Sequence, residues 1–203
     1  MHIKKTFKAS EQERDDVKHA RMAWSDMQQA TSMHRIVCLD ESAAKTNMTR
    51  LYGRSPVGER CYDSTPDSRW RTTTVLSSLR TDAQTACMIY EGGTTRATFE
   101  IYVENVLCPS LRPGDIVIMD NLSSQKSPRI TDMIKGCGAE LKYLPVYSPD
   151  LNPIEKMWSK MKAILRRLKA RTTEELDAAI KIALDAVTPQ DAIAWFTSCG
   201  YKS

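Results

Sequence analysis

The chain is 203 residues long, 41% apolar and 27% charged, with 8 glycines and 9 prolines. These figures suit one folded domain of ordinary size and exclude collagen-like, low-complexity and largely disordered classes. No stretch reaches the roughly 18 apolar residues of a membrane helix, and the opening MHIKKTFKASEQERDD lacks the apolar core of a signal peptide. A cytoplasmic protein without a membrane partner is therefore expected.

Six cysteines stand at wide spacings with no C-x-x-C pair, and the three histidines (His2, His19, His34) all lie near the amino end. Neither a zinc site nor a disulfide framework is expected from such a pattern. Cys38, inside the run IVCL, reads as a small buried hydrophobe.

In chain order, Ser10 followed by acids, with Val17, Ala20, Trp24 and Met27 three and four residues apart, predicts a helix over 10–29 capped by Ser10. The run Ile36–Leu39 then predicts a buried strand ending at Asp40-Glu41. Residues 53–70, rich in Gly, Pro, Ser and Asp, read as loop with one short strand. Two β-rich segments, Arg71–Leu79 and Thr85–Tyr90, flank a polar stretch and predict a hairpin.

Phe99, Tyr102, Val103 and Val106 have helical spacing within Thr95–Leu107. The turn RPGD leads into a second buried strand, Ile116–Met119, ending at Asp120. A helix over Lys126–Lys135 closed by Gly136 and Gly138, and a strand over Glu140–Leu144, follow. The proline-rich loop Pro145–Pro153 precedes a long amphipathic helix marked by Ile154, Met157, Trp158, Met161, Leu165 and Leu168, with Asn152 and Pro153 at its N-cap and N1 positions. Thr172-x-x-Glu175 predicts a capping box opening a helix to about Val187, and Pro189 starts a last one. The order defines an α/β domain, a mixed sheet with helices packed against it.

Asp40 and Asp120 share a context, each directly following a four-residue apolar run. If the two strands are neighbours the carboxylates meet at the carboxyl end of a sheet, where α/β folds place chemistry. Paired carboxylates repel unless a cation or proton intervenes, and hard divalent metals take oxygen ligands. The competing reading makes each Asp a strand-ending turn former. Glu155, separated from Asp120 by 34 residues, is the third candidate; as Asn152-x-x-Glu155 it also fits a capping box variant, and a first-turn carboxylate is favoured by the helix dipole in any protein.

The net charge of +4 hides an asymmetry, because residues 156–171 carry seven basic side chains and no acid. Such a block is either a solvated helix face or a surface that follows phosphates. Met157, Trp158 and Met161 within it read as core rather than as base-stacking residues.

The segments CLDES (38–42), IVIMDNLSSQK (116–126) and LPVYSPDLNPIEKMWSKMK (144–162) resemble the three catalytic motifs of DDE transposases, specifically the bacterial insertion-sequence branch of the mariner-like superfamily. The third is the most specific, and the resemblance extends from about Lys5 to the carboxyl end. It implies a ribonuclease H-like catalytic domain over 33–203 behind a helical lead-in over 1–32. It also implies Asp40, Asp120 and Glu155 as catalytic metal ligands for two Mg²⁺ (or Mn²⁺) ions, which would serve DNA strand cleavage and strand transfer.

Asn121 and Asn152 stand beside the triad in the motifs; Asn121 either bonds a carboxylate or metal-bound water, or only shapes its turn. With the resemblance, Lys156, Lys160, Arg166, Arg167, Lys169 and Arg171 are expected to hold double-stranded DNA. Two departures from the family pattern are Gln125, where His is frequent, and the absence of histidines from 66–70. Only 39 residues precede Asp40, so a helix-turn-helix reader, separately encoded or fused, and a homodimer in the reacting complex are expected as partners. The rival expectations are a catalytically impaired DNA-binding relict or regulator, and a ribonuclease H-like nuclease with another substrate.

Overall fold

A computed structural model describes residues 9–67, 70–121 and 127–202. The strands are β1 (Ile36–Lys45), β2 (Thr72–Leu79), β3 (Cys87–Glu91), β4 (Ile116–Met119) and β5 (Glu140–Tyr143). They form one mixed sheet in the order β3-β2-β1-β4-β5. β1, β2 and β3 pair antiparallel, whereas β1, β4 and β5 run parallel.

Alternation along the strands divides the core into two layers. Ile36, Cys38, Ile116 and Ile118 face a layer built with Trp24, Trp158, Leu165, Ile180 and Phe196. Val37, Leu39, Val117 and Met119 face Phe99, Tyr102, Leu107, Ile130 and Ile134. Because both faces are covered, IVCL and IVIM carry no polar residue, as central strands of a two-sided sheet require. The first layer is supplied by α1 (Asp15–Ala30), α4 (Ile154–Leu168), α5 (Thr173–Asp185) and α6 (Pro189–Ser198), the second by α2 (Arg96–Tyr102) and α3 (Pro128–Gly136).

Several local expectations are corrected. Ser10 caps no helix: it opens a short 3₁₀ turn over Ser10–Glu13, the chain extends at Arg14 (φ −64°, ψ 139°), and only then does α1 begin. β1 does not stop at Asp40 but continues to Lys45, since from Cys38 onward it pairs with β2. Ala20 is exposed, and 53–67 with Trp70 contain no strand. α2 runs directly into a π-helical turn, Val103–Leu107. Of the helix expected from Lys126, Lys126 lies outside the described residues, Ser127 is extended in the N-cap position, and the helix runs from Pro128 to Gly136.

The remaining helix boundaries obey recognisable capping chemistry. Thr172 and Glu175 form the expected reciprocal capping box, and Thr188 with Asp191 forms a second one in front of α6. Gly138 (φ +74°) turns the chain from α3 into β5, where a Cβ would sit 3.4 Å from the Pro113 backbone, and its carbonyl accepts from Gly114 N–H at 2.8 Å. Between β2 and β4, Arg80 forms a buried ion pair with Asp115, whose carboxylate also accepts from the Arg112 backbone N–H at 2.6 Å.

Candidate active site

The parallel register pairs Leu39 with Met119, so the next residue along each strand brings Asp40 and Asp120 to the same level at one end of the sheet. Both follow the parity of Cys38 and Ile118, which face the α4 layer. α4 crosses β1 on that side and carries Glu155 in its first turn. Three elements far apart in sequence thus deliver three carboxylates to one place. The expected meeting of the first two aspartates rests on the pairing of β1 with β4; Asp40 arrives from within a strand rather than from its end.

Electrostatics report their proximity. Asp40 is 9% exposed, and its carboxyl is pushed up to about 7, first by burial and then by the charges of Asp120 and Glu155, against the lowering effects of the Glu41 backbone N–H and Trp158. Burial also raises Asp120. Glu155 is raised by burial and by Asp120, with Lys162 opposing. Mutual repulsion among desolvated carboxylates is the condition that a cation relieves.

The capping alternative for Glu155 does not hold. No side chain caps the helix; the turn is closed by backbone bonds from Glu155 N–H to the Asn152 carbonyl (3.2 Å) and from Lys156 N–H to the Pro153 carbonyl (3.1 Å). Asn152 is 1% exposed, and neither atom of its amide has a hydrogen-bond partner among the described residues. Its place as helix cap is therefore corrected to a buried amide three residues before Glu155. Asn121 is exposed beside Asp120 and lines a cleft of about 500 Å³ with Trp24, Tyr143 and Val146. Gln125 lies outside the described residues.

The basic block divides into two sets. Lys160 bonds the Ala186 carbonyl at 2.7 Å and pairs with Asp191 at 2.5 Å; Lys169 pairs with Asp63 at 2.6 Å; Arg171 bonds the Thr46 and Met48 carbonyls at 2.9 and 3.0 Å; and Lys156 bonds Ser198. These four tie α4 and the segment after it to the rest of the fold. Arg166 and Arg167 line a cleft of about 600 Å³ with Arg50, Leu51, Tyr52 and the already paired Lys160.

Two features escaped the sequence reading. Lys162 acts on Glu155, which its seven-residue spacing, two helical turns, could have indicated. Trp158 belongs to the core as expected, yet its indole N–H also donates to Asp40 Oδ2 at 2.9 Å. A three-residue offset from Glu155 was the only sequence signal for it.

The lead-in helix reaches the same loop. Gln12 Nε2 donates to the Tyr147 carbonyl at 2.6 Å, Arg21 grips Ser148 Oγ at 2.7 Å and Asp150 at 2.7 and 3.0 Å, and Gln28 donates to the Cys199 carbonyl at 2.8 Å.

The donor set at this end of the sheet is oxygen only, which suits hard divalent cations rather than zinc or copper. Among the described residues, no group of three His, Cys, Asp or Glu side chains is gathered closely enough to form one ready-made ion cage.

A two-layered mixed sheet with carboxylates from two adjacent parallel strands and a crossing helix defines the class to which the comparisons point. Residues 35–177 match the family described as DDE superfamily endonuclease, and the chain belongs to that family. No curated protein sequence matches it.

Among solved structures, the Mos1 transposase paired-end complex with left transposon end superposes with a TM-score of 0.77 at 15% identity, covering 98% of this chain and 63% of that one. The Mos1 mariner paired end complex with Mn gives 0.75 at 17% identity, covering 98% and 64%. The catalytic domain of Mos1 mariner transposase gives 0.63 at 15%, covering both chains fully at 100%. These likenesses establish the ribonuclease H-like α/β fold; the chain spans just under two thirds of the transposase chains in the paired-end complexes. Among the described residues no helix is long and apolar enough to cross a membrane.

Proposed function

We propose that the chain is the catalytic part of a transposase that cleaves DNA strands and joins them to a target, with Asp40, Asp120 and Glu155 holding two Mg²⁺ or Mn²⁺ ions. The observation that carries the reading is the convergence of these three carboxylates, each with a raised pKa, at one end of the sheet. Divalent ions bound there would supply activation of a water or DNA 3′-hydroxyl and stabilisation of the leaving oxygen. The relatives named above support both partners, since their descriptions include a transposon end and Mn.

The chain's own residues set the conditions for that chemistry. β1 and β4 fix two carboxylates on a rigid sheet, and α4 aims the third from its first turn. Trp158 and the first core layer exclude water from the Asp40 side. Arg166 and Arg167, with Lys162 nearer Glu155, are the cations we assign to DNA phosphates; Lys156, Lys160, Lys169 and Arg171 hold α4 in place and contribute to the field around it. A homodimer in the reacting complex and a helix-turn-helix reader, fused or separately encoded, complete the proposed assembly.

The test is nicking of supercoiled plasmid with Mg²⁺, Mn²⁺ or EDTA. Asp40→Ala, Asp120→Ala and Glu155→Ala should each lower metal-dependent nicking about 10³-fold or more, the loss expected when several kcal/mol of transition-state stabilisation disappear. Folded variants that nick as wild type does would remove their residue from the site. DNA binding by wild type without metal-dependent nicking would identify a catalytically silent relict, and cleavage confined to RNA:DNA hybrid would identify a nuclease of another class.

A further inference from the structure

The functional reading leaves one buried polar contact unused, the bond from Trp158 Nε1 to Asp40 Oδ2 at 2.9 Å. Both partners are almost fully enclosed, Trp158 at 2% and Asp40 at 9% exposure. An indole N–H donates and never accepts, so Trp158 cannot ligate a cation; it can only hold an oxygen that does. The final torsion of an aspartate is soft and broad; at Asp40 the Glu41 backbone N–H and the Trp158 indole together fix it, and only the indole belongs to another element. Trp158 is a stiff donor because its ring is packed with Met157, Met161 and Leu165 in the first core layer.

The same helix carries Glu155 three residues earlier, so one rigid element sets the place of Glu155 and the rotation of Asp40 together. We infer that Trp158 is a positioning residue for the metal site, orienting Asp40 toward a bound divalent cation and locking the β1 ligand to the α4 ligand. The inference rests on the carboxylate site proposed above and adds a residue that touches neither ion nor DNA. Outer-shell donors to metal-ligating side chains commonly contribute about 10–100-fold to metal affinity.

The experiment measures Mn²⁺ binding to the protein alone, by calorimetry or by the loss of the free-ion electron paramagnetic signal. Trp158→Phe removes the donor and keeps an aromatic ring. In case the smaller ring loosens the core, a second variant places the benzothienyl analogue of tryptophan at 158, which keeps shape and volume and exchanges N–H for sulfur. Met161→Leu, on the same face one turn further along α4, serves as a packing control.

The Mn²⁺ dissociation constant should rise about tenfold in both Trp158 variants and stay within about twofold of wild type in the control. Nicking by the Trp158 variants should recover largely at saturating Mn²⁺, because the defect lies in holding the ion. A lowered melting temperature in EDTA with an unchanged dissociation constant would reduce Trp158 to a core residue and overturn the inference, leaving the carboxylate site standing. Wild-type protein that binds no Mn²⁺ would remove the metal site and the inference together.

Discussion

The acids of this protein fall into two groups that the fold treats oppositely. At the periphery, Asp191 sits 2.5 Å from Lys160 and accepts from Thr188, and Asp63 sits 2.6 Å from Lys169 and accepts from Thr49. Hydrogen bonds from these lysines hold both carboxyls down at about 2. At the end of the sheet, Asp40, Asp120 and Glu155 shift the other way, and among the described residues none has a Lys or Arg in ion-pair contact. The chain has basic side chains in plenty close by. Lysines neutralise the peripheral acids, whereas the inner carboxylates are desolvated without a cation in ion-pair contact, which is the arrangement the proposed metal site calls for.

The substitutions of Asp40, Asp120 and Glu155 described above break that comparison most severely, because each removes a proposed metal ligand. The next largest effect belongs to an internal control. Asp115 is 4% exposed, as enclosed as Asp40, but it is paired with Arg80 in the core. Arg80→Met leaves that charge unpaired, and unfolding in urea should show a loss of about 3–5 kcal/mol.

A third prediction concerns pH in EDTA. Asp40 is raised from 3.8 to about 7, so its unfolded form ionises first and stability should fall as pH rises through that window, then level off. Asp40→Asn should flatten this decline, worth a few kcal/mol between pH 5 and pH 8. A wild type equally stable at both values would show that burial and the neighbouring carboxylates do not raise Asp40 as described.

Weaker effects separate the two sets of cations. Arg166→Gln with Arg167→Gln should lower DNA affinity and reduce the salt dependence of binding by about two units of slope, measured by fluorescence anisotropy against potassium chloride. Lys169→Gln should change the slope less. The smallest effect is at Asp191, whose folded pKa lies below its unfolded value. Its contribution is present above about pH 4 and fades as pH falls toward 2; Lys160→Met should shrink that acid limb by at most about 1 kcal/mol.

How much of this was legible in the sequence depended on whether a signal was local. β4 was read at its true ends because a turn precedes IVIM and the polar pair Asp120-Asn121 follows it. β1 was cut short because Glu41–Lys45 has only one neighbouring strand, so Ser42 and Ala44 are buried while Ala43 and Lys45 are exposed. That pattern resembles a polar stop unless the pairing with β2 is known. The Thr172 capping box was visible because its two partners are three residues apart; the proposed Asn152 cap followed the same rule and failed because the Glu155 N–H bonds the Asn152 carbonyl and not its side chain. The proposed triad was suggested by motifs, whereas the Trp158–Asp40 bond joins residues 118 positions apart and leaves no periodic trace.

The grip of the first helix on the loop before Glu155 has a consequence for the order of assembly. Gln12 and Arg21 reach across 127 to 135 residues to bond Ser148, Tyr147 and Asp150, and Gln28 reaches across 171 to Cys199. Contacts that close such long loops carry the largest entropic cost, and in folding they come after the pairing of nearby segments. The β2–β3 hairpin and the helices can form while the chain ends are still apart, but the loop that leads into Glu155 is fastened at Tyr147, Ser148 and Asp150 only when the first helix reaches it. A partly folded chain would thus present its aspartates on the sheet before the loop in front of Glu155 is fastened, and the proposed cleavage activity would arrive with the last contacts of the native state.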